Sequence, residues 1–450
     1  MPDHPTQDDR EAAEREAGRL SPAPPLPGTA TQQRGVRGLL RKATIDLRPL
    51  RRHRDFRLLF VGQGVTFLGS MVTYVALPYQ AYQLSGSSLV VGLLGVAELV
   101  PLLVAAFLGG ALADARDRRR MLQLTELAFV VATSVLLANA LLPSPQLWLL
   151  FVVSAAMAAM DGLQRPSLEA LTPRLVDRDE ITAAAAIGTM RVTIGMIAGP
   201  ALGGVLIAVV GLPLTYGFDV ATFVVSLAAL RLMRAAPPPV QDAEVSLRSI
   251  AEGIRYAGSR QVLLGTYVVD IVAMFFGMPI ALFPAFAHEF GGAGVLGLMY
   301  AAPAVGSLAA TMTSGWSGHV HRHGAAISLA AAGWGAAVLA VGVAPDLGLV
   351  LLGLAVAGGA DTLSGIFRST VWNQTIPDEL RGRLAGIEQV SYSTGPLLGN
   401  VESGVAASLI GVRGSIVSGG ALCVAGVVVV GLLLPTFWRY DARHPEVAAA

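Results

Sequence analysis

Long apolar runs, separated by short polar or Gly/Pro-rich breaks, occupy most of the chain beyond residue 55. A helix rises about 1.5 Å per residue, so about 20 apolar residues cross the hydrocarbon core of a bilayer. Twelve stretches reach that length, near residues 56–82, 89–112, 121–142, 147–170, 182–209, 213–234, 261–288, 293–318, 324–344, 347–372, 383–410 and 412–434. The pattern predicts an all-α integral membrane protein.

A polar segment near 235–260, opening with Pro237-Pro238-Pro239, separates six of these helices from the other six. The halves echo each other. Gly199-Pro200-Ala201-Leu202-Gly203-Gly204 in the fifth helix returns as Gly395-Pro396-Leu397-Leu398-Gly399-Asn400 in the eleventh, and Pro173 and Pro377 precede the two helices. Parallel repeats of this kind build transporters. The expected organisation is a disordered basic tail (1–55), a six-helix bundle (56–234), a linker (235–260), a second, pseudo-symmetric six-helix bundle (261–434) and a short tail (435–450).

Charge adds an orientation. Positive residues near membrane spans tend to stay in the cytoplasm. On one side of the predicted spans lie the basic amino-terminal arm, Arg116 with Arg118 to Arg120, Arg174, Arg178, the segment from Arg231 to Arg260, Arg322, Arg381, Arg383, Arg439 and Arg443. The loops of the other side carry Arg413 alone, so both termini are expected in the cytoplasm. Composition agrees: 53% of residues are hydrophobic and 14% charged, against about 25% charged in soluble proteins. The 51 glycines suit helices that approach closely where no hydrophobic effect drives them together. A net charge of +1 says little as a sum, and the lone Cys423 excludes an intrachain disulfide and a thiolate metal cluster.

Between the second and third helices the chain reads Gly109-Gly110-Ala111-Leu112-Ala113-Asp114-Ala115-Arg116-Asp117-Arg118-Arg119-Arg120. A carboxylate at the end of such a helix can bind the amino-terminal amides of a neighbour; a solvated basic loop is the alternative. The run resembles motif A of the major facilitator superfamily in Gly110, Leu112, Ala113, Asp114, Arg118 and Arg119. Ala115 stands where the motif has Arg, with Arg116 as its candidate replacement, and Asp117 stands where it has Gly. The resemblance implies the major facilitator fold and a gate latched by Asp114. In the fifth helix Gly195, Gly199, Pro200, Gly203 and Gly204 resemble motif C, which that superfamily associates with antiporters; Ala186 replaces its first glycine. Pro200 removes a backbone hydrogen bond and bends the helix, and a plain packing face is the alternative. Further segments resemble the enterobactin (siderophore) exporter family: Val91-Gly92-Leu93, Asp161-Gly162, Leu282-Phe283-Pro284-Ala285, Gly297 to Ala302, Thr313-Ser314-Gly315 and Gly382-Arg383. That resemblance implies export of a siderophore or drug driven by protons. Motif B is not evident, and Ala158 stands where its arginine is expected.

A charge near the bilayer centre costs at least about 2.5–3.5 kcal/mol, so each needs a partner, a wet cavity or a neutral state. Glu98 lies nine residues into the second helix, close to the midplane, and Asp270 lies at similar depth in the seventh. A carboxyl group held out of water can carry a proton near neutral pH, which makes these two the candidate proton-coupling sites; acids bonded to neighbouring backbone are the alternative. Asp161 and Arg165 are four apart and can pair on one face, or line the cavity. Arg191, Asp361, Arg368, Glu388 and Tyr392 sit on helices that line the cavity in the resembled family; Arg368 and Glu388, close to the basic side, can instead snorkel there. Phe275, Phe276 and Tyr74 are candidates for stacking on an aromatic cargo. Asp219 is expected to cap or pack.

No catalytic constellation emerges. His319, His321 and His323 read as a solvated loop rather than a metal site, and no P-loop pattern is present, so no cofactor, metal or ATP is expected. The expected partners are a small-molecule substrate, protons and the lipid bilayer, with no nucleic acid, and the protein is expected to act as a monomer. The sequence points to a secondary exporter. A nutrient symporter and a non-transporting membrane sensor are the competing readings.

Overall fold

Hydrocarbon offers backbone amides no partner, so an apolar run entering a bilayer has to satisfy its own N–H and C=O groups, which a helix does. In the computed structural model every regular element among the described residues is a helix. Those residues are 46–115, 117–234, 255–256 and 258–443, and the side chains of 107, 109–115 and 378–391 lie outside the description. The helices are α1 (Arg54–Ser85), α2 (Ser88–Ala115), α3 (Arg118–Ala140), α4 (Leu147–Leu171), α5 (Ile181–Leu232), α6 (Gln261–Phe276), α7 (Phe283–His288), α8 (Ala293–Thr313), α9 (His323–Val343), α10 (Leu347–Thr375) and α11 (Asp378–Leu433). Most of the predicted tail and linker fall outside the described residues.

Ten helical spans among the described residues are long and apolar enough to cross a membrane. Two of them are double. The 52-residue α5 leaves helical geometry at Gly211 (φ 79°, ψ 172°), and the 56-residue α11 does so at Gly411 (φ 80°, ψ 165°). That region of backbone space is open essentially to glycine alone. The breaks fall where the sequence pattern puts the turns after the fifth and eleventh helices, so each element has two arms, here α5a and α5b, α11a and α11b.

The seventh helix departs from expectation. Instead of running unbroken over 261–288, it stops at Phe276, passes through a 3-10 turn at Ile280–Leu282 and resumes as α7. Pro279 explains the break, because it has no N–H and its ring disfavours helical geometry in the preceding residue. The freed backbone finds side chains: Trp334 Nε1 donates to the Gly277 carbonyl at 2.7 Å, and Ala281 N–H donates to Asn400 Oδ1 at 3.2 Å. Irregular backbone inside a membrane protein survives where it is re-satisfied in this way.

Packing follows the repeat. α1 lies against both arms of α5: a Cβ on Gly203 would sit 3.1 Å from Val72 Cα, and one on Gly62 would sit 3.2 Å from Ala229 Cβ. α6 lies in the same way against α11, where a Cβ on Gly399 would come within 2.8 Å of the Met274 carbonyl oxygen. The halves meet along two seams. At one, a Cβ on Gly204 of α5a would stand 2.7 Å from the Ala293 carbonyl oxygen of α8; at the other, a Cβ on Gly95 of α2 would stand 2.7 Å from that of Leu397 of α11a.

The two ends of the bundle differ. Arg118 donates to the Ala170 carbonyl closing α4, and Arg119 donates to those of Leu230 and Arg231 closing α5, at 2.8–3.0 Å. Cations at helix carboxyl ends complement the dipole and the orphan carbonyls there. At the opposite end, which we call the glycine-turn end, Arg413 bonds Glu289 at 2.9 Å and the carbonyls of Gly342 and Ala344 at 3.2 and 2.8 Å, so it ties three turns together.

Backbone contact between α8 and α10 rests on Gly306 and Gly358, where a Cβ would run into the carbonyls of Ala355 and Pro303. Gly306→Ala is expected to cost about 1–3 kcal/mol by overpacking. A lowered thermal midpoint of the detergent-solubilised protein checks it, and an unchanged midpoint contradicts this contact.

Candidate transport site

A cavity of about 430 Å³ lies between the halves, lined from α1, α2, α3, α4, the broken segment after α6, α8 and α11a. Its acidic wall comes from one helix crossing. A Cβ on Gly162 of α4 would stand 2.7 Å from both Ala106 N and the Leu102 carbonyl oxygen of α2, so the missing side chain lets the two helices touch. This brings Asp161 of α4 and Glu98 of α2 to the same cavity. Arg165 does not pair with Asp161 as the four-residue spacing allows. It faces Glu169 at 3.3 Å, while Asp161 faces the cavity.

Toward the glycine-turn end stands an aromatic group. Tyr300 packs edge-to-face between Tyr74 and Phe283, with ring centroids 5.2 Å apart in both pairs. Tyr74 and Tyr300 line the cavity. Tyr300 is 8% exposed and its hydroxyl has no hydrogen-bond partner among the described residues.

Across the cavity a buried ion network backs α11a. Arg368 of α10 is 1% exposed; it pairs with Asp270 of α6 and lies 3.6 Å from Asp361. Snorkelling is thus ruled out for Arg368, because neighbouring acids give it a buried partner within reach. Asp270, expected as a proton-coupling site, is 5% exposed and engaged in that pair. The network reaches the cavity through Tyr392, whose ring lies 5.3 Å from the Arg368 guanidinium and which lines the cavity itself.

The other candidates are placed elsewhere. Phe275 and Phe276 sit edge-to-face on each other at 4.9 Å, just before the break, and the lining takes Met278 and Ile280 instead. Arg191 of α5a packs beside Gly64 and does not line the cavity. Gly195, Gly199 and Gly203 form the face of α5a that meets Phe67, Met71 and Val72 of α1, with Pro200 between them and Gly204 on the seam to α8. Gly110 and Asp114 lie in the last turns of α2 with side chains outside the described residues, as is that of Glu388; Arg116 lies outside them altogether. His323 is buried and its Nε2 lies 3.0 Å from the Val320 carbonyl oxygen, so it is not a solvated loop residue. Asp219 takes hydrogen bonds from Thr73 and Thr222. His53, Asp177 and Glu180 cluster closely enough to share a cation, but His53 already lies 2.9 Å from Glu180, which Arg52 also approaches at 3.4 Å.

Sequence reasoning passed over Glu126. It is fully buried in α3, and its Oε1 accepts from Gln63 of α1 (2.7 Å), Gln164 of α4 (3.1 Å) and Ser226 of α5b (3.1 Å). The signal was present as an acid inside an apolar run, the same signal that singled out Glu98. Glu126→Ala leaves those donors without a shared acceptor, at about 1–3 kcal/mol for an unsatisfied buried group. It is expected to reduce the folded fraction, by size-exclusion profile, more than Glu126→Gln, which keeps an acceptor oxygen. Asp270→Ala breaks a buried pair and is expected to cost about 3–5 kcal/mol. A normal thermal midpoint with lost transport would instead make Asp270 a cargo or proton contact.

Comparison with known proteins agrees with this architecture. A family model described as transmembrane secretion effector matches residues 44–445. The chain is 28% identical over 408 residues to the enterobactin exporter EntS of Shigella boydii, covering 90% of this chain and 98% of that one. It is 29% identical over 392 residues to that of Citrobacter koseri, covering 87% and 93%. Among solved structures, the nucleoside transporter NupG superposes with a TM-score of 0.65 at 14% identity over 86% of this chain and 99% of its own. A bacterial homologue of the lysosomal transporter Spinster gives 0.65 at 14% identity over 88% and 97%. At such identities these structures establish the fold alone. With the family pattern matched over nearly its whole length, the chain belongs to the transmembrane secretion effectors of the major facilitator superfamily, and is a multi-pass inner-membrane transporter rather than an enzyme.

Proposed function

We propose that this transporter exports a small amphipathic molecule from the cytoplasm in exchange for protons, as a monomer working by alternating access. The observation that carries the reading is Glu98, an acid in the lining of a cavity between two halves related by a sequence repeat. The relatives' name supports the direction, since they are enterobactin exporters. The antiporter-like glycine face of α5a supports it too.

In this reading twelve spans place both termini and the arginine-rich loops in the cytoplasm, so the glycine-turn end faces outward. The seams at Gly204 and Gly95 close that end, and the cavity awaits cargo from the cytoplasm. Rocking of the halves about the cavity separates those seams while the Asp114 region closes the opposite end. A bare carboxylate at mid-membrane is costly, so Glu98 returns inward carrying a proton taken up outside. This couples the two fluxes.

Glu98→Gln is expected to abolish efflux driven by a pH gradient in everted vesicles, assayed with whichever of enterobactin and tetraphenylphosphonium the parent protein exports. Exchange of the same compound down its own gradient should persist. Unchanged gradient-driven efflux removes Glu98 from the mechanism. Cells lacking the gene should retain more cargo than their parent, whereas a nutrient symporter would leave them with less.

A further inference from the structure

The cavity lining has a sign. Among the described residues that form it, the charged ones are Glu98 and Asp161, and none is Lys, Arg or His. The arginines nearby are engaged or turned elsewhere. Arg165 faces Glu169, Arg191 lies outside the lining, and Arg368 is held by Asp270 and Asp361 behind the ring of Tyr392. Two acids in a space of low polarity therefore face a guest with no basic side chain among the described residues of the lining, although Arg165 behind Asp161 is near enough to attract that acid.

The rest of the wall suits the same guest. Tyr74 and Tyr300 present aromatic surface, and aromatic rings attract cations through their quadrupole. Mutual edge-to-face packing with Tyr74 and Phe283 holds Tyr300 in place, and its buried hydroxyl has no hydrogen-bond partner among the described residues. Such an oxygen can accept an N–H from an ammonium group. A catecholate anion would meet the opposite: two carboxylates repelling it and, among the described lining residues, no arginine to pair with.

We infer that the cavity of this chain selects a cationic, aromatic amphiphile of the lipophilic amine type, with Glu98 and Asp161 as its charge-recognition residues, in place of the anionic cargo that the relatives' name suggests. This deepens the export reading and rests on it for direction, while the recognition step itself can be tested without transport.

The test is equilibrium binding to the purified full-length protein in detergent, with tetraphenylphosphonium and tetraphenylborate as probes of nearly equal size and opposite charge. The phosphonium is expected to bind at least tenfold more tightly than the borate. In the Glu98→Gln/Asp161→Asn double variant the two should come within about threefold of each other. If the double variant fails to give the parent's elution profile, Glu98→Gln and Asp161→Asn singly are each expected to weaken phosphonium binding at least threefold. Preference of the parent protein for the borate or for enterobactin over the phosphonium overturns the inference. So does a folded double variant that keeps the parent's phosphonium affinity. Because binding in detergent involves neither gradient nor direction, such a failure leaves export to be judged by the vesicle assay, and a failed vesicle assay leaves the charge preference standing.

Discussion

Close approach of helix backbones is the contact on which this structure depends. Lipid tails are as apolar as leucine, so burying apolar side chains does not drive helices together in a bilayer; tight packing does. Glycine makes that packing available by removing the side chain between two backbones. The same device recurs where α1 meets α5, where α6 meets α11, along both seams between the halves, and where α4 crosses α2 at Gly162. The last crossing is the one with chemical consequence, since it brings Glu98 and Asp161 to a shared cavity.

Polar groups show a second economy. Where the protein buries a charge permanently, it surrounds it: Arg368 has two acids and an aromatic ring, and Glu126 has three donors from three other helices. Glu98 and Asp161 have no such cage and stand in the cavity wall. The distinction separates groups that tie helices together within one half from acids left facing the cavity. It also explains why broken backbone after α6 is tolerated, since Trp334 and Asn400 take up the hydrogen bonds that Pro279 forfeits.

Much of the architecture was legible in the sequence because its causes are local. Span length follows from apolar run length, the double nature of α5 and α11 from glycine at their turns, and the repeat from Gly-Pro-x-x-Gly at matching places. Depth along a helix likewise identified Glu98. Partnership was less legible, because it joins residues far apart in sequence. Spacing offered Arg165 to Asp161, yet the partner chosen was Glu169; it placed Arg368 near a helix end, yet packing buried it against Asp270, 98 residues earlier in the numbering.

By itself, then, the sequence determined that this chain is a helical membrane protein with a repeated half and an acid at mid-depth in its second helix, since hydrophobic length and backbone satisfaction act along the chain. Only the tertiary structure decided which charges are neutralised and which face the cavity. Coulomb energy in a medium of low polarity depends on separations of a few ångströms between helices, and those separations are set by which glycines meet which backbones.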